Sequence, residues 1–279
     1  MDEQNLREMI ERALEQDIGQ GDVTSMWVLA PNAIARARIV AQEPGIVAGL
    51  SAAESVFRQV NPLIAFTWLQ EDGAPMETGD ELATVVGPAT SVLTAERTAL
   101  SILGRMSSVA TLTRRYVDAV EGTDTVVLGA RETMLCLHSV DQWAVQLGGG
   151  GSVPTRLSDV MFIRSNHATI AGGLSVAVER ARAADTGLQI LVEACDWAQL
   201  DEALPLEPDR IVLRGLPIED IADAVKWVAG RVPLEIAGKI PLEHVRAIAE
   251  TGVDYISVDA LTQYARPLRI TLEAEPPPQ

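Results

Sequence analysis

From residue 124 onward the chain keeps a rhythm that few architectures can accommodate. Short apolar runs at 125–128, 159–163, 188–192, 210–213, 233–236 and 254–258 are joined, in the later part, by helical patterns at 173–185, 217–229 and 241–251. The later runs recur every 20 to 25 residues, the length of one strand and one helix with their connections. Buried strands separated by helices cannot pair as hairpins, so they form a parallel sheet covered by those helices. That leaves a barrel or a doubly wound sheet. No GxGxxG follows a first strand, which argues against a dinucleotide-binding sheet. A barrel-like half is expected, with its chemistry at the C-terminal ends of the strands.

Residues 1–110 read differently. Leu6, Ile10 and Leu14 form one stripe of an acidic amphipathic helix at the N-terminus. The segment 35–50 alternates like a strand and turns at Pro44–Gly45; a strand pair is expected to bracket Asp72–Gly73, and Gly79–Asp80 marks a third turn. A long helix is expected from Glu96 to about Val120, with Leu100, Leu103, Val109, Leu112, Tyr116 and Val120 on its apolar face. The expected division is thus 1–110 and 111–265, with a last strand in 266–275 able to rejoin the first half and a Pro-rich, disordered tail at 274–279.

Charge narrows the partners. The 279 residues carry a formal charge of −17, which argues against nucleic acid or an anionic membrane surface. Any anion site must be a local positive pocket in a negative molecule. The N-terminus lacks the basic start and apolar centre of a signal peptide, and no run of 18 apolar residues suggests a membrane span. Cys136 and Cys195 have no metal-ligand spacing, so a reducing cytoplasmic setting is expected.

The barrel rule selects the residues that would face a ligand: Arg131 and Glu132, Arg164, Glu193, Arg214, the stretch Ala237–Gly238–Lys239, and Asp259. Arginine forks and exposed backbone N–H groups suit phosphate or carboxylate. Glu193 could hold magnesium or act as a base. The plain alternative is that these opposite charges pair with one another. The four glycines at 148–151 are open in the same way: they admit a ligand close to the backbone, or they simply connect to a core strand.

Several segments carry a family resemblance. QDIGQGDVTS (16–25), ARARIVAQEPGIVAGL (35–50) and above all ERTALSILGRMSSVAT (96–111) resemble quinolinate phosphoribosyltransferase, as do the glycine run, the strand ending in Asn166–His167, VEA at 192–194 and GVDYISVDALT at 252–262. The resemblance implies an α/β fold of the type II phosphoribosyltransferase kind: an N-terminal α/β sandwich followed by an open, incomplete α/β barrel. It implies a homodimer with a shared site, or a hexamer, and two small anionic substrates, quinolinate and phosphoribosyl pyrophosphate, the latter with magnesium (Mg2+). Arg105 matches an arginine offered across the dimer interface. Arg131 and Thr133 match the first and third residues of an Arg-Lys-Thr substrate motif, and Glu193 a glutamate near ribose and metal. Glu193 and Arg131 are the implied catalytic pair.

Against that pattern the chain departs at named positions. Glu132 replaces the motif's lysine, His138 a substrate arginine, Ser152–Val153–Pro154 an Asn-His-Arg, Arg164 a lysine, and Arg214 an aspartate, while Lys239 and Asp259 replace glycines of a phosphate loop. Two unit charges about 4 Å apart interact by about 4 kcal/mol at an effective dielectric of 20, so reversing a sign beside a bound carboxylate is worth up to roughly twice that. The expected compensation is internal: Glu132 with Arg214 or Arg164, and Lys239 with Asp259. Two readings follow, the family enzyme and a catalytically silent or repurposed paralogue that binds another anionic ligand or regulates a partner.

Overall fold

A computed structural model describes residues 3–133, 136–154 and 156–276. The chain forms two compact units, one of Met1–Arg114, Leu135–Gly149 and Ala265–Gln279, the other of Arg115–Met134 and Gly150–Tyr264.

In the first unit, helix α1 (Glu3–Ile18) buries the expected stripe of Leu6, Ile10 and Leu14, and packs on α3 (Leu50–Val60). The short α2 (Val23–Val28) is capped by Asp22, whose carboxylate accepts from the Ser25 N–H at 3.0 Å. Strand β1 (Ile34–Ala41) sits between β12 (Ile270–Ala274) and β5 (Glu81–Pro88), all antiparallel, and β3 (Ala65–Trp68) flanks β5. The C-terminal strand therefore completes the N-terminal sheet. Residues 277–279 of the expected tail lie outside the described residues.

Two local expectations are refined. The strand pair that brackets Asp72–Gly73 is β3 with β5, through a longer connection in which β4 (Pro75–Met76) pairs with β2 (Gly45–Ile46). The Asp72 carboxylate accepts from the Gly49 and Leu50 N–H groups at 2.7 and 2.9 Å, so the turn caps the start of α3. The long helix also starts earlier, α4 spanning Ala89–Ala119. Its added turns bury Ala89, Val92 and Ala95, small residues that weigh little in an apolar count. Pro88, lacking an N–H, suits the position just before a first helical turn.

The glycine run has a structural use. A Cβ on Gly148 would stand 2.5 Å from the Ala110 carbonyl oxygen and 2.7 Å from Thr113, and one on Gly149, at φ +92°, 2.6 Å from the Arg114 guanidinium. A Cβ on Gly151 would stand 2.7 Å from the side chains of Leu128 and Val126. The close approach is to the chain itself: these glycines let the segment after α5 (His138–Leu147) press on α4 and on β6 (Val126–Gly129).

The second unit is a six-stranded parallel sheet. Its order is β6, β11 (Tyr255–Val258), β10 (Leu234–Gly238), β9 (Arg210–Arg214), β8 (Ile190–Ala194), β7 (Met161–Ile163). Each strand begins and ends within two residues of its apolar run. The connections carry α6 (Ser165–Ala171), α7 (Leu174–Ala183), α8 (Trp197–Ala203), α9 (Ile218–Val228) and α10 (Leu242–Ala249), and α11 (Ala260–Gln263) follows β11. Among the described residues β6 and β7 do not pair, which leaves the barrel open between them.

Gly148→Ala tests the tight contact in the first unit. Forcing a methyl against a backbone carbonyl should lower stability by about 1–3 kcal/mol, read as a drop in the urea midpoint; an unchanged midpoint would mean that the glycine is dispensable there.

Candidate active site

Side chains two residues apart share one face of a strand. The ladder register places Phe162 beside Leu191, Leu191 beside Arg210, and Glu193 beside Val212. It also places Val212 beside Glu235, Glu235 beside Tyr255, and Arg214 beside Ala237 and then Ser257. One face of the sheet thus carries Phe162, Leu191, Glu193, Arg210, Val212, Arg214, Glu235, Ala237 and Ser257. Leu191, Val212 and Ala237 pack together with Val160 and Phe162 as its apolar part.

Beside them lies a buried ion cluster. Glu235, with no exposed surface, accepts from both terminal nitrogens of Arg131 at 2.7 and 2.8 Å, from Arg210 Nη1 at 2.9 Å and from Ser257 Oγ at 2.6 Å. Arg131 also lies over the Phe162 ring at 4.9 Å, and Arg210 over Tyr255 at 3.7 Å. Burial alone would raise the Glu235 carboxyl, but the hydrogen bonds from Arg131, Ser257 and Arg210 outweigh it and hold the group below the usual carboxylate range. Arg131, expected to grip substrate, is thus held by Glu235, and its Nε is buried without a partner. Reading the sequence missed Glu235 and Arg210. The signal was there: an acid between Leu234 and Ile236 in a buried strand must find cations.

At the strand ends the charges form a looser group. Glu132, on the loop after β6, accepts from Arg164 Nη1 at 3.1 Å, and its other oxygen lies 3.7 Å from Arg214 Nη2. Arg214 Nε in turn lies 3.6 Å from Glu193 Oε1. The expected pairing of Glu132 is therefore present with both arginines. The expected Lys239–Asp259 pair is not: the Lys239 ammonium lies 5.9 Å over the Tyr264 ring. Burial raises the Asp259 carboxyl above its ordinary range, with Arg214 and Lys239 pulling down and Glu132 pushing up. Gly238 ends β10 at φ +146°, a conformation that favours glycine, and its carbonyl accepts from the Asp259 and Ile240 N–H groups, both at 3.0–3.1 Å. Thr133 follows on the same loop, half-buried. His167 takes no part: its Nδ1 accepts from the Arg164 N–H at 3.1 Å, capping α6.

Two implied site residues belong to the first unit. Arg105 is buried and committed within its own chain, donating Nε and Nη2 to the Asp141 carboxylate at 3.0 and 2.9 Å and Nη1 to the Ala265 carbonyl at 3.1 Å. Asp141, a lone acid on the apolar stripe of Val140, Ala144 and Val145, was the cue. His138 opens α5. As for magnesium, the described residues hold no group of three or more His, Cys, Asp or Glu side chains able to ligate a metal. Glu193, the acid implied for magnesium, faces the Arg214 cation at 3.6 Å.

Comparison with known proteins places this geometry in context. Residues 22–107 match the quinolinate phosphoribosyl transferase N-terminal domain and residues 109–273 its C-terminal domain. A nicotinate-nucleotide pyrophosphorylase [carboxylating] of Mycobacterium leprae is 36% identical over 273 residues, covering 96% of both chains. The solved structure of the nicotinate-nucleotide pyrophosphorylase from Francisella tularensis superposes with a TM-score of 0.92 at 31% identity, covering 99% of this chain and 98% of that one. The Ehrlichia chaffeensis counterpart gives 0.92 at 32%, covering 96% and 98%.

The buried cluster makes a stability prediction with a definite pH sign. Glu235→Gln leaves two guanidinium groups buried without their anion and should cost about 3 kcal/mol at neutral pH. A carboxyl held low in the folded state contributes above its unfolded pKa of about 4.3 and loses that contribution as the pH falls through the lower folded value. The stability gap between the native chain and the variant should therefore be full at pH 7 and narrow below about pH 4. A gap independent of pH would show that the carboxylate charge is not what the cluster uses.

Proposed function

Because this chain belongs to the quinolinate phosphoribosyltransferase family, we propose that it joins quinolinate to phosphoribosyl pyrophosphate, giving nicotinate mononucleotide, carbon dioxide and pyrophosphate for NAD biosynthesis. The observation that carries this reading is the gathering of Arg164, Arg214 and Glu193 at the C-terminal ends of neighbouring parallel strands, Arg214 lying 3.6 Å from Glu193 and Glu132 lying 3.1 Å from Arg164 and 3.7 Å from Arg214. In an acidic molecule, that is where a polyanion finds cations. Lys239 and the backbone at Ala237–Gly238 end the adjacent strand and serve the phosphates, with Asp259 and Thr133 at the margin. His138, Arg105 and Arg131 are assigned supporting roles, Arg105 and Arg131 as residues that hold their loops and neighbours in place.

The chemistry forms a bond between the pyridine nitrogen and the ribose anomeric carbon as that carbon's bond to pyrophosphate breaks. The carboxylate next to the nitrogen then leaves as carbon dioxide, its electron pair staying on the ring carbon, which takes a proton. Positive charge develops on the ribose while the diphosphate departs, so a fixed carboxylate at Glu193 and fixed guanidinium groups are complementary to the transition state. Magnesium enters as the counter-ion of the diphosphate substrate. Nothing in the comparisons favours the silent paralogue.

The protein acts as a homodimer in the cytoplasm. Supporting the dimer, α2 exposes Val23, Met26, Trp27 and Val28, Trp27 at 82% of its surface, an apolar group that calls for cover. No helix among the described residues is long and apolar enough to cross a membrane, and Cys136 and Cys195 are free thiols.

Two measurements test this reading. A coupled assay with quinolinate, phosphoribosyl pyrophosphate and magnesium should show turnover that falls at least about 100-fold in Glu193→Ala; no turnover by the native chain would leave the silent paralogue. Trp27→Asp should shift the sedimentation coefficient from dimer to monomer, and an unchanged dimer would move the interface elsewhere.

A further inference from the structure

Arg214 is an unusual arginine. Its guanidinium makes no hydrogen bond among the described residues, its buried Nε included, and it is held only by loose ion pairs to two carboxylates at 3.6 and 3.7 Å. A side chain that is two-thirds buried, with its donors in no hydrogen bond and only in long ion pairs, is arranged to receive something. Opposite it, the Glu132 carboxylate addresses two cations with different oxygens, Oε1 to Arg164 and Oε2 to Arg214. One oxygen on each guanidinium is how a ligand carboxylate or phosphate would be held.

We propose that Glu132 is an internal substitute for an anionic ligand, occupying the seat between Arg164 and Arg214 and setting the affinity and charge preference of the site. This rests on the strand ends being the substrate site. The backbone around Glu132 is tethered, its carbonyl accepting from Thr262 Oγ1 and Gln263 Nε2 at 3.4 and 3.5 Å. The side chain is not: it is 47% exposed, and so is Arg164 at 48%. Solvated ion pairs of this kind are weak, so an incoming anion can displace the carboxylate by side-chain rotation alone. Displacement has a further consequence. With Glu132 in place, Arg164, Arg214 and Lys239 face Glu132, Glu193 and Asp259, and the strand ends are neutral. With the carboxylate turned away, three cations face two anions. The site thus becomes cationic only while a ligand occupies it, which penalises ligands whose oxygens cannot bridge both arginines.

The shared chemistry is a pair of carboxylate or phosphate oxygens, and calorimetry on the full chain with quinolinate or inorganic pyrophosphate separates the two. Glu132→Gln should bind one of them about tenfold more tightly than the native chain, and Glu132→Ala should do the same. The probe that gains identifies the seat. In Glu132→Gln combined with Arg214→Gln, the gain should vanish. Equal affinity of Glu132→Gln and the native chain for both probes would overturn the proposal, as would a gain that survives loss of Arg214. A gain without turnover leaves this inference standing and removes the proposed activity; turnover without a gain does the reverse.

Discussion

A carboxylate with no exposed surface cannot remain ionised inside a sheet unless cations meet it, and the second unit is organised around one that does. Glu235 on β10 draws Arg210 from β9, Ser257 from β11 and Arg131 from the loop after β6. Such a cluster adds little net stability over an apolar core, yet each member is costly to remove alone. Its effect is geometric: four successive chain segments of the sheet are tied at one depth. Arg131 is drawn inward by this cluster, and the residue after it, Glu132, is left at the strand ends among the cations.

Two tiers of charge on one sheet therefore behave differently. In the buried tier, short hydrogen bonds of 2.6 to 2.9 Å occupy the Glu235 carboxylate, and nothing small can compete for it. At the strand ends the separations are 3.1 to 3.7 Å and water reaches the groups, so the pairs exchange readily. The first tier ties strands together, and the second is where the proposed chemistry would sit. In the first unit Arg105 is likewise buried, with Nε and Nη2 bonded to Asp141 and Nη1 to the Ala265 carbonyl. An arginine's presence in a motif does not tell which tier it joins; the number of its donors already taken does.

Much of the architecture was legible in the residues. Apolar runs and their spacing located all six parallel strands, because a buried strand must be apolar over its length and a helix must follow it. The stripe of Leu6, Ile10 and Leu14 located α1 for a similar reason. Less was legible where a local signal had two outlets. Asp72–Gly73 looked like a hairpin turn, but an aspartate can equally cap a helix, and the N–H groups of Gly49 and Leu50 took it. The four glycines were open between a ligand cradle and a plain connection, and close approach to α4 uses the absent side chains within the chain itself. The strand-end residues were placed by their position, whereas Glu235 sat unremarked inside an apolar run and Asp141 in a stretch that no pattern singled out.

Residue order by itself determined the βα rhythm, the face each strand buries, the acidic surface and the set of charges delivered to the strand ends, because periodicity and composition report directly on exposure to water. Only the tertiary structure decided which charge meets which. Arg105 and Asp141 lie 36 positions apart, Arg131 and Glu235 104. Pairings at such separations depend on strand order and register, which no local pattern encodes. The same holds for Glu132, whose seat between Arg164 and Arg214 exists only once three distant strand ends are brought to one edge of the sheet.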